Sequence, residues 1–302
     1  MIYRIHNLQL ITEDYDLSQY LSTIDSVCSD IICYDIVRMD TPFICEALFS
    51  DCRIGVRSYG GLQITSYKLQ RALLIAASRF FHAKIHTSER KVEIYSSFED
   101  DITAAIINNI IITAILSYQN IFTLHGSMIL CNGKGICLIG ESGVGKSTLT
   151  YEIIKNHRGV LLADDNILCT YDDSKITVIK SSNGVRLISL QNDQKNLNYK
   201  GKMVVESDNN DIVFSNIDKV FFLDRHINCL DSHVEVKKLT YAQQKMLILR
   251  NIKGTYCMDR FVTLRLLNMI DILINTADLY KASIKNSIDA VPNIANELLA
   301  IN

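Results

Sequence analysis

The stretch Gly140-Glu141-Ser142-Gly143-Val144-Gly145-Lys146-Ser147 constrains this chain more than any other, because it fits G-x-x-x-x-G-K-[ST]. It lies between an apolar run, Gly135 to Ile139, and a helix-compatible run, Ser147 to Lys155. That is the strand–loop–helix setting in which the pattern forms a phosphate loop, or P-loop. Its glycines let successive backbone N–H groups turn inward around phosphate oxygens, and the helix adds its positive N-terminal end. Gly140 to Thr148 are therefore expected to cradle a nucleotide. Lys146 is expected to reach the β- and γ-phosphates, and Ser147 to place its hydroxyl on Mg²⁺. The implied cofactors are ATP and Mg²⁺; no base-recognition motif can be read, so GTP fits equally well.

After the helix, His157-Arg158-Gly159 makes a break, Val160 to Ala163 reads as a short buried strand, and Asp164-Asp165 stand at its carboxyl end. A phosphate-loop enzyme needs one carboxylate for its metal, so a second suggests a base for an incoming hydroxyl. The plainer alternative is that the pair caps a turn, a place Asp favours. Upstream, Leu124-His125-Gly126 precedes two apolar runs, Ser127 to Cys131 and Gly135 to Ile139, joined by Asn132-Gly133-Lys134. Asn-Gly between such runs signals a hairpin. A hairpin that feeds the phosphate loop is not the parallel βαβ start of ordinary P-loop proteins. A lone His before a strand is as readily structural as functional.

In these residues the sequence resembles the HPr kinase/phosphorylase-like serine kinases. The likeness rests on Leu124-His125-Gly126, the hairpin, Gly140 to Thr148 and Ala163-Asp164-Asp165, in that order and spacing, and continues more weakly over about residues 99 to 300. The resemblance implies an α/β fold with α+β tendency: a kinase core of the HPr kinase C-terminal-domain type with a hairpin-fed phosphate loop. It implies phosphoryl transfer in which Asp164 accepts the proton of a serine hydroxyl, Asp165 joins Ser147 at Mg²⁺, and His125 sits beside the acceptor. In the resemblance an Arg near Arg186 approaches the active site, where it could neutralise developing charge; an ordinary surface Arg reads equally well there. The bifunctional members carry a glycine-rich segment that Asn198 to Glu206 lacks, which argues against phosphorolysis and against HPr as substrate. The closer likeness is to stand-alone tailoring kinases of lasso-peptide biosynthesis, which phosphorylate a precursor-peptide serine. The acceptor implied is thus a peptide or small protein bearing serine. An HPr-type regulatory kinase, a small-molecule hydroxyl kinase and a non-catalytic nucleotide-gated regulator remain alternatives.

Length and composition fit this picture. The 302 residues, 48% hydrophobic, suffice for one large or two modest cores. Lys and Arg total 31 against 33 Asp and Glu, without the basic block that nucleic acid or an anionic membrane would call for. Nine scattered cysteines without Cys-x-x-Cys suggest reduced thiols, hence a cytoplasmic protein. No signal peptide opens the chain, and the most apolar stretch, Ile102 to Leu116, is broken by Asn108-Asn109 and reads as a buried helix too short to span a bilayer. A homo-oligomer is compatible with all of this.

Residues 1–98 are expected to form a smaller β-rich domain, provisionally for acceptor recognition, and 99–302 the kinase domain. Within the first, Tyr67 to Phe81 is ambiguous: Leu69, Leu73, Ala76, Ala77 and Phe80 share a helical face, yet Leu73-Leu74-Ile75 suits a strand. His82 and His86 read as strand residues rather than a metal pair. Beyond Asp165, a second hairpin is expected about Asp172-Asp173-Ser174, with the acids as turn residues. Asp218 to Leu223 reads as a buried strand ending in Asp224-Arg225-His226, which makes Arg225 a candidate site residue by analogy with open α/β sheets. Thr240 is expected to cap a helix over Tyr241 to Arg250; further helices are expected over Met258 to Ile274 and Asp289 to Ala300, with a strand over Asp278 to Ile284.

Overall fold

The computed structural model describes residues 1–5, 8–17, 22–23, 32–42, 52–59, 61–70, 72–77, 79–179, 184–188, 202–206, 214–226 and 232–301. These fall into two compact units, Met1–Ile121 with Gly254–Leu266, and Phe122–Lys253 with Leu267–Asn302.

The first unit is built on β1 (Ile2–Ile5), β2 (Leu8–Ile11), β3 (Ser22–Thr23), β4 (Ile32–Arg38), β5 (Arg53–Tyr59), β6 (Leu62–Lys68), β7 (Ala72–Ala77), β8 (Phe81–His86) and β9 (Lys91–Ser96). They form one sheet in the order β3-β1-β2-β4-β9-β8-β7-β6-β5, parallel only where β4 meets β2 and β9. The ambiguous stretch resolves as strand: all six residues of β7 are buried, so it lacks the polar alternation that marks a half-exposed strand. His82 and His86 lie on β8, where His86 Nε2 meets Glu93 at 3.1 Å.

The apolar stretch after β9 is one helical run. It comprises α1 (Asp100–Ile106), a π-turn over Ile107–Ile111 at the Asn-Asn pair, and α2 (Ile112–Tyr118). At 19 residues it is long and apolar enough to span a bilayer, contrary to the expectation from its length, but most of it is buried inside the fold. The expected domain boundary at 98/99 precedes this run, whereas the run itself lies in the first unit. Its ties explain why: Ser96 Oγ meets Thr103 Oγ1 at 2.7 Å, and Arg38 pairs with Asp100 at 3.0 Å. Tyr118 OH donates to Asp259 Oδ2 at 3.2 Å, and Lys68 pairs with Asp259 at 3.1 Å.

The second unit holds the phosphate loop. Its strands are β10 (Phe122–Leu124), β11 (Gly126–Cys131), β12 (Lys134–Ile139), β13 (Val160–Ala163), β14 (Ile167–Tyr171), β15 (Ile176–Ile179), β16 (Gly184–Ile188), β17 (Lys202–Glu206), β18 (Phe214–Asn216), β19 (Lys219–His226), β20 (Val234–Lys238) and β21 (Asp278–Lys285). Its helices are α3 (Lys146–His157), α4 (Tyr241–Asn251) and α6 (Val291–Ala300), while α5 (Arg260–Thr276) contributes residues to both units. The main sheet runs β13-β11-β12-β19-β21-β20, with β12, β19 and β21 parallel and the other pairs antiparallel. A four-stranded sheet, β10-β14-β15-β18, and the ribbon β16-β17 complete it.

The hairpin β11–β12 forms as its sequence indicates. Asn132 and Gly133 both take positive φ, 51° and 75°, the backbone of a two-residue turn whose twist matches the strands. Lys134 joins the ladder opposite Cys131, so the turn is one residue shorter than expected. β12 is buried from Gly135 to Ile139 because it has neighbours on both sides and helices over it. Ile129, Leu138, Leu149, Ile153, Phe221, Ile294 and Leu298 pack there as the core of the α3 and α6 side. The second hairpin also forms, and Asp172 Oδ1 accepts from Ser174 N at 2.9 Å and Lys175 N at 3.0 Å, as a turn residue should.

Candidate functional site

β12 ends at Ile139 and α3 begins at Lys146, so Gly140 to Gly145 form the connection. Gly143 and Gly145 have φ of 85° and 105°, backbone that a side chain would strain, and Gly145 is the N-cap of α3. The N-terminal end of such a helix is where an anion is favoured. Glu141 and Ser142 are exposed, while Val144 packs into the core. Lys146 is buried and curls back: its Nζ donates to the carbonyls of Gly140 at 2.7 Å and Glu141 at 3.0 Å. A phosphate oxygen would offer this ammonium a charged acceptor in exchange, and such bonds are roughly twice as strong as neutral ones.

Asp164 lies at the end of β13, 5% exposed, and is held from two sides. Ser147 Oγ donates to its Oδ1 at 3.1 Å, and Ser127 Oγ donates to the same oxygen at 2.7 Å. Ser127 was not evident from the sequence. The signal was the strand register: Met128 pairs with Ala163 in the antiparallel β11–β13 ladder, which sets Ser127 beside Asp164. Asp165 takes φ of 69°, a left-handed conformation tolerated by Asp, and this turns its carbonyl toward His125.

His125 occupies the bend between β10 and β11. Its backbone N–H donates to Asn251 O at 2.8 Å, at the end of α4. Its Nδ1 lies 3.2 Å from the Asp165 carbonyl, which can only accept, so Nδ1 carries the proton and Nε2 presents a lone pair. Burial first, and then the positive charges of Lys253 and Lys146, bring its pKa down to about 4. The imidazole is therefore neutral near pH 7. Lys253 Nζ also donates to Asn166 Oδ1, and its backbone N–H to Thr123 O at 2.8 Å. Lys253 is a second residue that the sequence did not single out.

Ser147 thus meets Asp164, its chain neighbour Asp165 meets His125, and the Lys146 charge is felt at the His125 imidazole. Arg225 stands by the loop's outer side, where its Nε donates to Val144 O at 3.2 Å and its chain lines a cavity beside Gly145 and Thr148. Arg186 falls in β16 opposite Val204, and its side chain lies outside the described residues, as do Asn198 to Gly201. Among the described residues no cluster of three or more His, Cys, Asp or Glu could hold a metal. The donors present, a serine hydroxyl and a carboxylate 3.1 Å apart, nevertheless suit Mg²⁺. That ion prefers oxygen and usually takes one or two carboxylates, with the substrate phosphates and water completing its shell.

The segment that holds these residues has known relatives. Residues 117–192 match the family model of the HPr Serine kinase C-terminal domain. The chain is 36% identical over 107 residues to an HPr kinase/phosphorylase of Malacoplasma penetrans, covering 34% of this chain and 35% of that protein. It is 40% identical over 63 residues to one from Listeria welshimeri, covering 20% and 19%. The matches thus span about a third or less of the length of these curated relatives. A solved structure of the Hpr(Ser) kinase/phosphatase from Coxiella burnetii aligns with 59% of this chain and 93% of its own, at 12% identity and a TM-score of only 0.31. The segment that carries His125, the phosphate loop and the two aspartates is thus similar to the C-terminal domain of HPr kinases.

Proposed function

We propose that this protein is a Mg²⁺- and ATP-dependent kinase that phosphorylates a serine hydroxyl of a peptide or small protein. The observation that carries the reading is the convergence on Asp164, whose Oδ1 accepts from the phosphate-loop Ser147 and from Ser127. Transfer of a phosphoryl group depends on positioning and charge neutralisation more than on covalent chemistry. Lys146 and the loop amides bind the phosphates, Ser147 and Asp165 hold Mg²⁺, and Asp164 takes the proton of the incoming serine. When bound, Mg²⁺ would supply charge neutralisation at the transferred group. His125, neutral and with Nε2 as an acceptor, orients the acceptor hydroxyl from the Asp165 side.

One observation favours a second division of labour. Asp164, not Asp165, is the carboxylate on the Ser147 hydroxyl, which suits Asp164 to the metal as well as to the proton.

The relatives are named for HPr as substrate, but the sequence over Asn198 to Glu206 lacks the glycine-rich segment of the bifunctional members. We therefore favour a peptide acceptor of the precursor-peptide kind, as in lasso-peptide tailoring, with little reversal by inorganic phosphate. Among the described residues β5 is the last strand of the first unit's sheet, and a sheet edge is where an extended chain would pair. The test is incubation with labelled ATP, Mg²⁺ and serine-containing precursor peptides, beside HPr and free serine, with the product mapped by mass spectrometry. Preferential transfer to HPr or free serine would overturn the peptide assignment, and phosphate release with no acceptor labelled would favour a nucleotide-gated regulator.

A further inference from the structure

A cavity of about 260 Å³ opens beside the phosphate loop, lined by Val144, Gly145 and Thr148 and by Ile284 to Ile288, which span the end of β21 and the residues after it. The geometry points to this cavity as the nucleoside pocket, holding the purine ring of the nucleotide whose phosphates the loop binds. The inference rests on the phosphate-loop reading above and adds the residues that would hold the base, which no motif in the sequence identified.

The direction of the bound chain comes first. In a phosphate loop the lysine would serve the β- and γ-phosphates and the serine the metal, which leaves the α-phosphate to the backbone amides of the loop, which Thr148 follows. The ribose leaves from the α-phosphate, and Thr148 is exposed at the mouth of this cavity. Size comes next. Pockets for drug-sized ligands run to about 300–1,000 Å³, so a slightly smaller space suits a ring system with part of a sugar rather than a whole triphosphate.

The lining chemistry agrees. Val144, Ile284 and Ile294 give an apolar floor, all three nearly fully buried, which suits the face of an aromatic ring. Asn286 and Ser287 give a polar rim with both donors and acceptors for ring-edge atoms. Arg225 is fixed on this wall by its Nε bond to the Val144 carbonyl, which leaves the planar guanidinium able to stack on a base. Arg225 is then a nucleoside-positioning residue rather than a charge partner of the transferred phosphoryl group.

The test compares ATP and GTP with inorganic tripolyphosphate by calorimetry, in the presence of Mg²⁺, on the full chain and on Ser287→Trp, which narrows the cavity. Photolabelling of the unmodified chain with 8-azido-ATP, mapped by mass spectrometry, runs alongside. Ser287→Trp should weaken ATP and GTP about tenfold or more while leaving tripolyphosphate within about twofold. The photolabel should fall within 144–149 or 284–288. Unchanged ATP affinity in Ser287→Trp, or a label elsewhere, would overturn the pocket while leaving the phosphate loop standing. Failure of the unmodified chain to bind either ATP or tripolyphosphate would overturn the loop reading and the pocket with it. If Ser287→Trp loses both ligands, the position of the photolabel decides.

Discussion

The two hydroxyls on Asp164 come from different strands of argument in the chain: Ser147 from the phosphate loop and Ser127 from the hairpin that precedes it. Asp164→Asn keeps the shape but removes the charge. If Asp164 takes the acceptor's proton, kcat falls by roughly 10²–10⁴-fold with little change in ATP affinity. If it serves the metal instead, the Mg²⁺ concentration for half-maximal activity rises, and Asp165→Asn carries the loss in kcat. Steady-state rates over a Mg²⁺ titration separate the two, and equal small effects from both variants would make the pair structural. His125 gives a pH dependence. Its folded pKa of about 4 lies below the ~6.5 of an unfolded His, so on acidification the unfolded chain takes up the proton first. Stability is unaffected by this group above about pH 6.5 and falls as the pH drops toward 4. Urea midpoints of His125→Gln should therefore decline less between pH 7 and 4.5 than those of the unmodified protein; parallel decline would contradict the buried neutral imidazole. Lys146 and Ser147 could be singled out by the phosphate-loop spacing, and Asp164 and His125 by the resemblance. Ser127 and Lys253 were not, since a serine in a strand and a lysine after a helix carry no local signal until register and tertiary contacts bring them in.

Elements whose ends are chemically marked were the legible ones. Asn132-Gly133 defines the hairpin by its need for positive φ, and Thr240 defines the start of α4. Thr240 Oγ1 accepts from Gln243 N while the Gln243 side chain returns a bond to the Thr240 N–H, a complete capping box. Thr240→Ala should cost about 1 kcal/mol of unfolding free energy, measured by urea denaturation. At the far end of α4 the carbonyl of Asn251 accepts from the His125 backbone N–H, so the capped helix touches the site. An unchanged urea midpoint would mean the cap is redundant. β7 was the illegible element, for a physical reason: with both faces covered, a strand needs no polar alternation, and Leu73, Ala76 and Ala77 then mimic a helical stripe. The run Asp100–Tyr118 was legible as a buried helix but not in its wide turn, because a π-turn at Asn108-Asn109 has no compositional signature.

At the scale of the molecule, the first unit carries a sheet of nine strands among the described residues and a buried helical run, and the second carries the phosphate loop, His125 and both aspartates. A ligand that binds the native state alone stabilises it by mass action, by about 2.7 kcal/mol at a hundred times its Kd. Mg·ATP should therefore raise the melting temperature of the full chain by several degrees at saturating concentration. The gain should depend on Lys146, whose Nζ now rests on the carbonyls of Gly140 and Glu141 and must exchange them for phosphate oxygens. In Lys146→Ala the loop loses its one long cation while its glycines and the N-terminus of α3 remain, so most of the shift should vanish and the melting temperature without ligand should change little. Differential scanning fluorimetry over a concentration series of Mg·ATP reads both quantities at once. A full shift retained in Lys146→Ala would mean that the nucleotide binds elsewhere, and the phosphate-loop assignment would fall with it.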